Sequence, residues 1–280
     1  MTNTLRMRQA LLSIAVTLFF ICGLPQSRPA RAQAAPDYKP QVGQAGKDVV
    51  WVPTSQALVD KMLDIAKVTP ADYLIDLGSG DGRTVISAVK RGARALGIEY
   101  NPDMVEVAKR TAAAAGVGDK ASFVKADIFE SDFSQATVIT MFLLPSINVK
   151  LRPKILDLKP GTRIVSNTFT MDTWEDDDTA TVTDKDCSYY CTAHLWIVPA
   201  KVQGSWKTAR GDLILRQTFQ KLTGTLGSGE KMMQLASGRM RGEQIMFTAD
   251  GEEYTGRVSG NTMEGTLRSG ATWKATRAGK

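Results

Sequence analysis

The sequence predicts an α/β protein with helices on both faces of a parallel sheet, followed by a small antiparallel all-β domain. From Pro70 to about residue 170, short apolar runs alternate with segments of helical periodicity. After about residue 200 this periodicity ends, and short alternating stretches are separated by Gly-containing turns, as in a meander that curls into a small barrel or sandwich. The predicted strands of the sheet are Tyr73–Leu77, Ala95–Tyr100, Ser122–Ala126, Thr137–Leu143 and Arg163–Thr168, and the helices between them are Thr84–Lys90, Pro102–Ala115 and Pro145–Leu156.

The helix boundaries are marked by residues that suit helix ends. Thr54 or Ser55 can cap a first helix, because each carries a side-chain oxygen and apolar residues follow at helical spacing. The helix after the second strand has Asn101 as its cap, Pro102 in its first turn and Gly116 after its end. These signals place helices where the alternation of an α/β sheet requires them.

The first 34 residues have the three parts of an export signal. Arg6 and Arg8 give a positive start, Leu11–Leu24 is apolar, and small residues then recur in the Ala-x-Ala pattern at 30–32 and 32–34. The apolar run is short for a membrane span, which needs about 20 residues. We therefore expect residues 1–34 to be cleaved and the chain to be exported to the periplasm. Retention as an uncleaved membrane anchor is the alternative.

Composition divides the rest of the chain into three parts. Residues 35–47 are polar and lack periodicity, so they are predicted to be a linker; the α/β domain spans 48–200 and the β domain 201–280. The formal net charge of +6 is uneven, because 35–200 holds 18 Lys and Arg against 22 Asp and Glu, and 201–280 holds 13 against 7. The basic residues are scattered along the β domain, so a solvated surface is favoured over nucleic-acid binding.

A glycine-rich loop follows the first strand and carries the main functional signal. Glycines there allow a sharp turn and a close approach of the backbone to a ligand. A dinucleotide-binding loop would have its third glycine at position 83, which is Arg83, and no Gly-Lys-Ser/Thr follows that would make a P-loop. The loop has instead the form D-x-G-x-G-x-G, which resembles motif I of the class I S-adenosylmethionine-dependent methyltransferases, in the run Asp76-Leu77-Gly78-Ser79-Gly80-Asp81-Gly82.

Two further acids follow the next two predicted strands. Glu99 ends the second strand, beside Tyr100, and Asp127 ends the third, beside Ile128. Ligands of open α/β sheets bind outside the carboxyl ends of the strands, so we expect these acids and Asp76 at one edge of the sheet. The resemblance implies that Glu99 accepts both ribose hydroxyl protons and that Asp127 faces the adenine amino group of S-adenosylmethionine.

A narrower resemblance covers roughly residues 47–170. Val52-Pro53-Thr54 before the first helix and Leu143-Leu144-Pro145 after the fourth strand look like the mitochondrial protein-lysine methyltransferases that modify a membrane-embedded component of ATP synthase and the adenine nucleotide carrier. This resemblance implies that Val52–Thr54 closes over the cofactor and that Thr140–Leu143 lines the methyl-donor face. The cofactor-binding residues implied together are Thr54, Asp76, Gly78, Ser79, Gly80, Gly82, Glu99, Tyr100, Asp127 and Ile128.

The expected function is therefore S-adenosylmethionine-dependent methyl transfer, with a protein lysine as the acceptor that kinship implies. The residue that would take the lysine proton is not identified by the sequence. The alternative is an exported methyltransferase-like binding module without turnover, because the donor is made in the cytoplasm. An Asn/Asp-Pro-Pro-Tyr-like motif is absent at residues 140–145, which argues against planar amide or amine acceptors.

Other polar clusters receive plainer interpretations. His194 is interpreted as a hydrogen-bonded strand residue rather than a base, and the acidic run Glu175–Asp178 as a solvated loop that could alternatively attract a cationic substrate. Cys187 and Cys191 can form a disulfide only if the residues between them turn, because a straight strand would hold their Cα atoms about 13 Å apart. No metal site is predicted.

Overall fold

A mixed sheet followed by a closed barrel forms the part of the chain that the computed structural model describes, which is residues 38–183, 185 and 187–279. The predicted export signal, residues 1–34, lies outside the described residues. The sheet and the barrel belong to one compact unit, residues 38–280.

The sheet has seven strands in the order β3-β2-β1-β4-β5-β7-β6, of which β1 to β5 are parallel. The strand β7 pairs antiparallel with β5, and β6 pairs antiparallel with β7. The order reverses between β1 and β4, which is where open α/β sheets bind ligands. The strands are β1 (Tyr73–Leu77), β2 (Arg94–Glu99), β3 (Ala121–Lys125), β4 (Val138–Met141), β5 (Arg163–Asn167), β6 (Asp178–Thr181) and β7 (Thr192–Ile197).

Four helices connect these strands or precede them: α1 (Gln56–Ile65), α2 (Arg83–Lys90), α3 (Pro102–Ala114) and α4 (Pro145–Leu156). Ser55 caps α1 by accepting a hydrogen bond from the Leu58 amide at 3.3 Å, and Asn101 caps α3 by accepting one from the Asp103 amide at 2.9 Å. None of the helices in the described residues has the length and apolar character that a bilayer crossing requires.

Two core clusters lie against the sheet, because successive residues of a strand point to opposite faces. Leu74 and Ile75 of β1, for example, belong to different clusters. The first cluster takes the apolar side chains of α1, α2 and α3. The second takes those of α4 together with the fully buried Trp174 and Trp196.

The β domain is an eight-stranded barrel, closed by pairing between β9 and β10, with β11 added beside β10. Trp206 and Phe247 are buried in its single apolar core. Residues 231–241 form two strands separated by Leu235, and the second of them shifts register against its neighbour between Ala236 and Arg239. The strands are β8 (Gly204–Thr208), β9 (Gly211–Thr218), β10 (Lys221–Ser228), β11 (Lys231–Gln234), β12 (Ala236–Arg241), β13 (Gln244–Ala249), β14 (Glu252–Ser259), β15 (Thr262–Leu267) and β16 (Thr272–Arg277).

The acidic run Glu175–Asp178 lies against the barrel, so its interpretation as a solvated loop is wrong for Asp176 and Asp177, whereas the Glu175 side chain is 60% exposed. The carboxylates of Glu175 and Asp177 pair with Lys221 and Arg239 of the barrel at 2.5 Å and 2.7 Å. Asp176 instead meets Nδ1 of His194 at 2.6 Å. Because the Asp177 side chain is fully buried, these acids are engaged in structure rather than open to a cationic substrate.

Candidate active site

A cleft of about 400 Å³ lies at the carboxyl ends of the parallel strands, within the size range of small-molecule sites. Its walls come from the loops after β1 to β5 and from residues 44–54, which precede α1. The structure brings to this cleft all but one of the predicted cofactor residues: Thr54, Asp76, Gly78, Ser79, Gly80, Glu99, Tyr100, Asp127 and Ile128.

Gly82, the remaining predicted residue, stands behind the cleft at the N-cap of α2. Its φ is +82°, and a Cβ there would lie 2.8 Å from the ring of Phe123. Gly82 therefore allows the loop to turn into the helix against β3, which is a packing requirement.

Gly80 lines the cleft where the glycine loop lies against Trp51. Its φ is +52°, and a Cβ there would lie 2.7 Å from Nε1 of Trp51. The Gly80 amide donates a hydrogen bond of 2.9 Å to Oε2 of Glu99. The glycine loop is thus fixed to the end of β2 on one side and covered by Trp51 on the other.

Glu99 is held in one orientation by both of its carboxylate oxygens. While Oε2 accepts from Gly80, Oε1 accepts a hydrogen bond of 2.9 Å from the amide of Asn101. Each oxygen has further lone pairs, and the side chain lines the cleft. Glu99 is therefore a preoriented acceptor for paired hydroxyl groups.

Asp76 is buried at the end of β1, with 6% of its surface exposed. The hydroxyl of Thr140 donates a hydrogen bond of 2.6 Å to its Oδ1. Burial, reinforced by the negative charges of Glu99 and Asp81, raises the pKa of Asp76 to about 7. Thr140 itself lies behind the cleft, whereas the next residues of the predicted donor-facing segment, Met141, Phe142 and Leu143, line it.

Asp127 is bound by a residue that the sequence assigns to a linker. Its Oδ2 accepts a short hydrogen bond from Nζ of Lys47, and its Oδ1 accepts one of 2.9 Å from the Phe129 amide. These two donors hold the pKa of Asp127 below its ordinary value. The Lys47 ammonium also lies 4.8 Å from the ring centre of Tyr100, so this predicted linker contributes to the cleft.

The segment Val52–Thr54 is tied to the cleft by two side chains that the sequence did not predict to be functional. Arg83 pairs with Asp81 at 2.6 Å and donates a hydrogen bond of 2.7 Å to the Thr54 carbonyl. Asn167 donates one of 3.1 Å to the Thr54 hydroxyl. The feature of the sequence that could have identified Arg83 is its position as a basic residue directly after the glycine loop.

The open end of the cleft is aromatic and includes part of a disulfide-closed turn. Phe142, Phe169 and Tyr190 line it and contact one another. Cys187 and Cys191 form a disulfide with Cα atoms 5.8 Å apart, so the chain between them turns as the bridged alternative requires. His194 does not line the cleft, and no cluster of potential metal ligands is present among the residues that the structure describes.

Several known proteins are similar in sequence to this chain. The family described as the ANTKMT methyltransferase domain matches residues 76–178. A protein-lysine N-methyltransferase from Saccharolobus islandicus is 41% identical over 153 residues, which cover 54% of this chain and 94% of that protein. The adenine nucleotide translocase lysine N-methyltransferase of mouse is 33% identical over 129 residues, 45% of this chain and 56% of that protein. The chain thus spans little more than half of the mouse protein.

A solved methyltransferase structure is also similar to this chain. The crystal structure of an RNA methyltransferase from Salinibacter ruber in complex with S-adenosylhomocysteine has a TM-score of 0.51 and 46% identity, and the match covers 54% of this chain and 96% of that chain. The family match ends at residue 178, ahead of the barrel.

The fold and the cleft define a class I methyltransferase whose cofactor is S-adenosylmethionine, as the glycine loop predicted. The residues present fit this cofactor, because three carboxylates face a ligand that carries a sulfonium, an ammonium and a hydroxyl pair. The chain belongs to the family of the ANTKMT methyltransferase domain.

Proposed function

We propose that this chain methylates the ε-amino group of a lysine in a protein. The observation that carries the proposal is the 41% identity to the Saccharolobus protein-lysine N-methyltransferase over 94% of its length. The aromatic and apolar open end of the cleft supports it, because an alkyl amine can lie against such a wall while a planar amide would need polar partners.

In this proposal the predicted site residues hold the donor. Glu99 accepts the ribose hydroxyl protons, and Asp127 lies at the adenine end with Tyr100 and Ile128. Asp76 and the loop from Gly78 to Gly80 lie beside the methionine end, where the negative charge of Asp76 favours the cationic donor.

The cofactor, when bound, supplies a methyl group on a sulfonium, so the protein need not create an electrophile. Only the neutral amine has a lone pair, so the lysine ammonium would first lose a proton to solvent; the carbon–sulfur bond would then break as the nitrogen–carbon bond forms. The residues of this chain position the two reactants in line and exclude water from them.

The test is transfer of labelled methyl from S-adenosylmethionine to a bacterial protein extract by the full chain. We expect label in Nε-methyl-lysine after hydrolysis, with none from the Glu99→Ala variant. A parallel incubation with total bacterial RNA serves as the contrasting acceptor. Label in RNA alone would overturn lysine as the acceptor, and donor binding without transfer to either would favour the binding-module alternative.

We propose also that the chain acts outside the cytoplasm after loss of residues 1–34. The disulfide between Cys187 and Cys191 supports this location, because disulfides persist in oxidising compartments. Fractionation of bacterial cells that express the full chain should place it in the periplasm with its N-terminus near residue 35. A cytoplasmic protein with an intact N-terminus would contradict export, and an intact N-terminus in the membrane fraction would favour the anchor.

A further inference from the structure

Three aromatic rings, which we call the aromatic trio, form the open end of the cleft. Phe142 follows β4, Phe169 follows β5, and Tyr190 lies in the turn that precedes β7. The ring centres of Phe142 and Tyr190 are 5.2 Å apart, those of Phe169 and Tyr190 5.8 Å, and those of Phe142 and Phe169 5.9 Å. Rings from three separate segments therefore make one continuous wall.

The backbone at Phe142 and at Phe169 is held by β4 and by α4, respectively. Phe142 directly follows Met141, the last residue of the buried strand β4. The backbone at Phe169 is held by the fully buried Asn148 of α4, whose amide nitrogen donates to the carbonyls of Phe169 and Thr170 at 3.1 Å and 3.2 Å. These two rings need no further support.

Tyr190 depends on the disulfide. It directly precedes Cys191, its φ is +60°, and 44% of its surface is exposed. A non-glycine residue is strained in this left-handed region, so the conformation persists only where its surroundings impose it. The bond from Cys187 to Cys191 closes the turn around Tyr190 and supplies that constraint.

The trio suits a slender cationic side chain better than a flat base. Tyr190 is tilted by 60° and 53° to the other two rings. Phe142 and Phe169 are nearly parallel, at 20°, but their centres are 5.9 Å apart, which is the spacing of rings in direct contact and leaves no room for a base between them. The exposed faces give apolar surface for the methylenes of a lysine and negative π-faces for its nitrogen, which stays cationic after each methylation.

We infer that the aromatic trio is the acceptor site for the lysine side chain, with Tyr190 positioned by the Cys187–Cys191 disulfide. The inference rests on the proposed function and assigns the acceptor to this wall. Tyr190 is not among the residues assigned to the donor, so its loss should separate acceptor recognition from donor recognition.

The test compares Tyr190→Ala with Tyr189→Ala, a matched change in the same turn. Tyr189 is 83% exposed and does not line the cleft. With bacterial protein extract as acceptor and methyl-lysine as readout, we expect Tyr190→Ala to raise the half-saturating extract concentration about tenfold, the scale of a lost cation–π contact. Tyr189→Ala and Tyr190→Phe should stay within about twofold of wild type, because neither removes a π-face from the trio.

The disulfide is tested by the double variant Cys187→Ser/Cys191→Ser and by reducing the wild type with dithiothreitol. Both should raise the half-saturating concentration as Tyr190→Ala does, and the reductant should have no effect on the double variant. Calorimetry with S-adenosylhomocysteine should give wild-type affinity throughout. Unchanged acceptor dependence in Tyr190→Ala, or an equal change in Tyr189→Ala, would overturn the inference alone. Absence of lysine methylation by the wild type would overturn the proposed function as well.

Discussion

Replacement of Glu99 by Ala should weaken the binding of S-adenosylhomocysteine by about 100-fold or more. A hydrogen bond to a charged group contributes roughly 1.5–3 kcal/mol, and the carboxylate offers two to the ribose. The change also removes the acceptors of the Gly80 and Asn101 amides, which are both 2.9 Å from Glu99. The glycine loop would keep the hydrogen bonds from the Gly78 and Ser79 amides to the Ile98 carbonyl of β2 but would lose the one made by the Gly80 amide. Calorimetric titration of the full chain measures the affinity.

Glu106→Ala is the matched control for this prediction. Glu106 is exposed on α3 and pairs with Lys109 at 2.9 Å, so its removal should leave the affinity unchanged. If Glu99→Ala bound S-adenosylhomocysteine as tightly as the wild type, the donor would lie elsewhere than in this cleft.

Asp76→Asn should stabilise the fold and weaken the donor complex. The pKa of Asp76 is raised from 3.8 to about 7, so between these pH values the folded state holds a proton that the unfolded state has lost. The stability of the wild type therefore falls as pH rises through this window, and it falls no further above it. An amide does not titrate, so the variant should exceed the wild type by a margin that grows to roughly 2–4 kcal/mol at pH 8. Urea unfolding at pH 5 and pH 8 measures the margin.

Asp76→Asn should have the opposite effect on the affinity for the donor, which it should lower. Because a cationic ligand favours the ionised carboxylate, the affinity of the wild type for S-adenosylmethionine should increase from pH 6 to pH 8 and then level off. Asp76→Asn should bind more weakly, with a flatter pH dependence. The exposed Asp119 provides the control, since Asp119→Asn should alter neither profile. A stability margin that is the same at pH 5 and at pH 8 would show that Asp76 is already ionised in the folded chain at pH 5.

The central part of the fold and of the candidate site could be predicted, because buried parallel strands appear in the sequence as short apolar runs. The four residues of β1 from Leu74 to Leu77 are buried. Because the carboxyl ends of parallel strands lie at one edge of a sheet, Asp76 of β1 and Glu99 of β2 are brought together by the topology. The strand β6 was not predicted, since its Asp-Thr-Ala-Thr sequence is polar and largely exposed and has no apolar alternation.

What could not be predicted depends on contacts between distant segments. Lys47 reaches Asp127 across 80 residues from the predicted linker, and Trp51 approaches Gly80 from the segment between that linker and the first helix. The placement of Tyr190 beside Phe142 likewise requires the disulfide and the end of β4 in three dimensions. Such pairs leave no periodicity or local motif in the sequence.

The barrel begins and ends with strands that are neighbours, since β8 pairs with β16. A domain of this topology has its first and last strands side by side, so it can be gained, lost or transplanted through a single junction. None of its strands pairs with the methyltransferase sheet. The barrel is therefore a separate hydrogen-bonded unit, joined near residue 200 to a sheet whose strand pairing is complete without it.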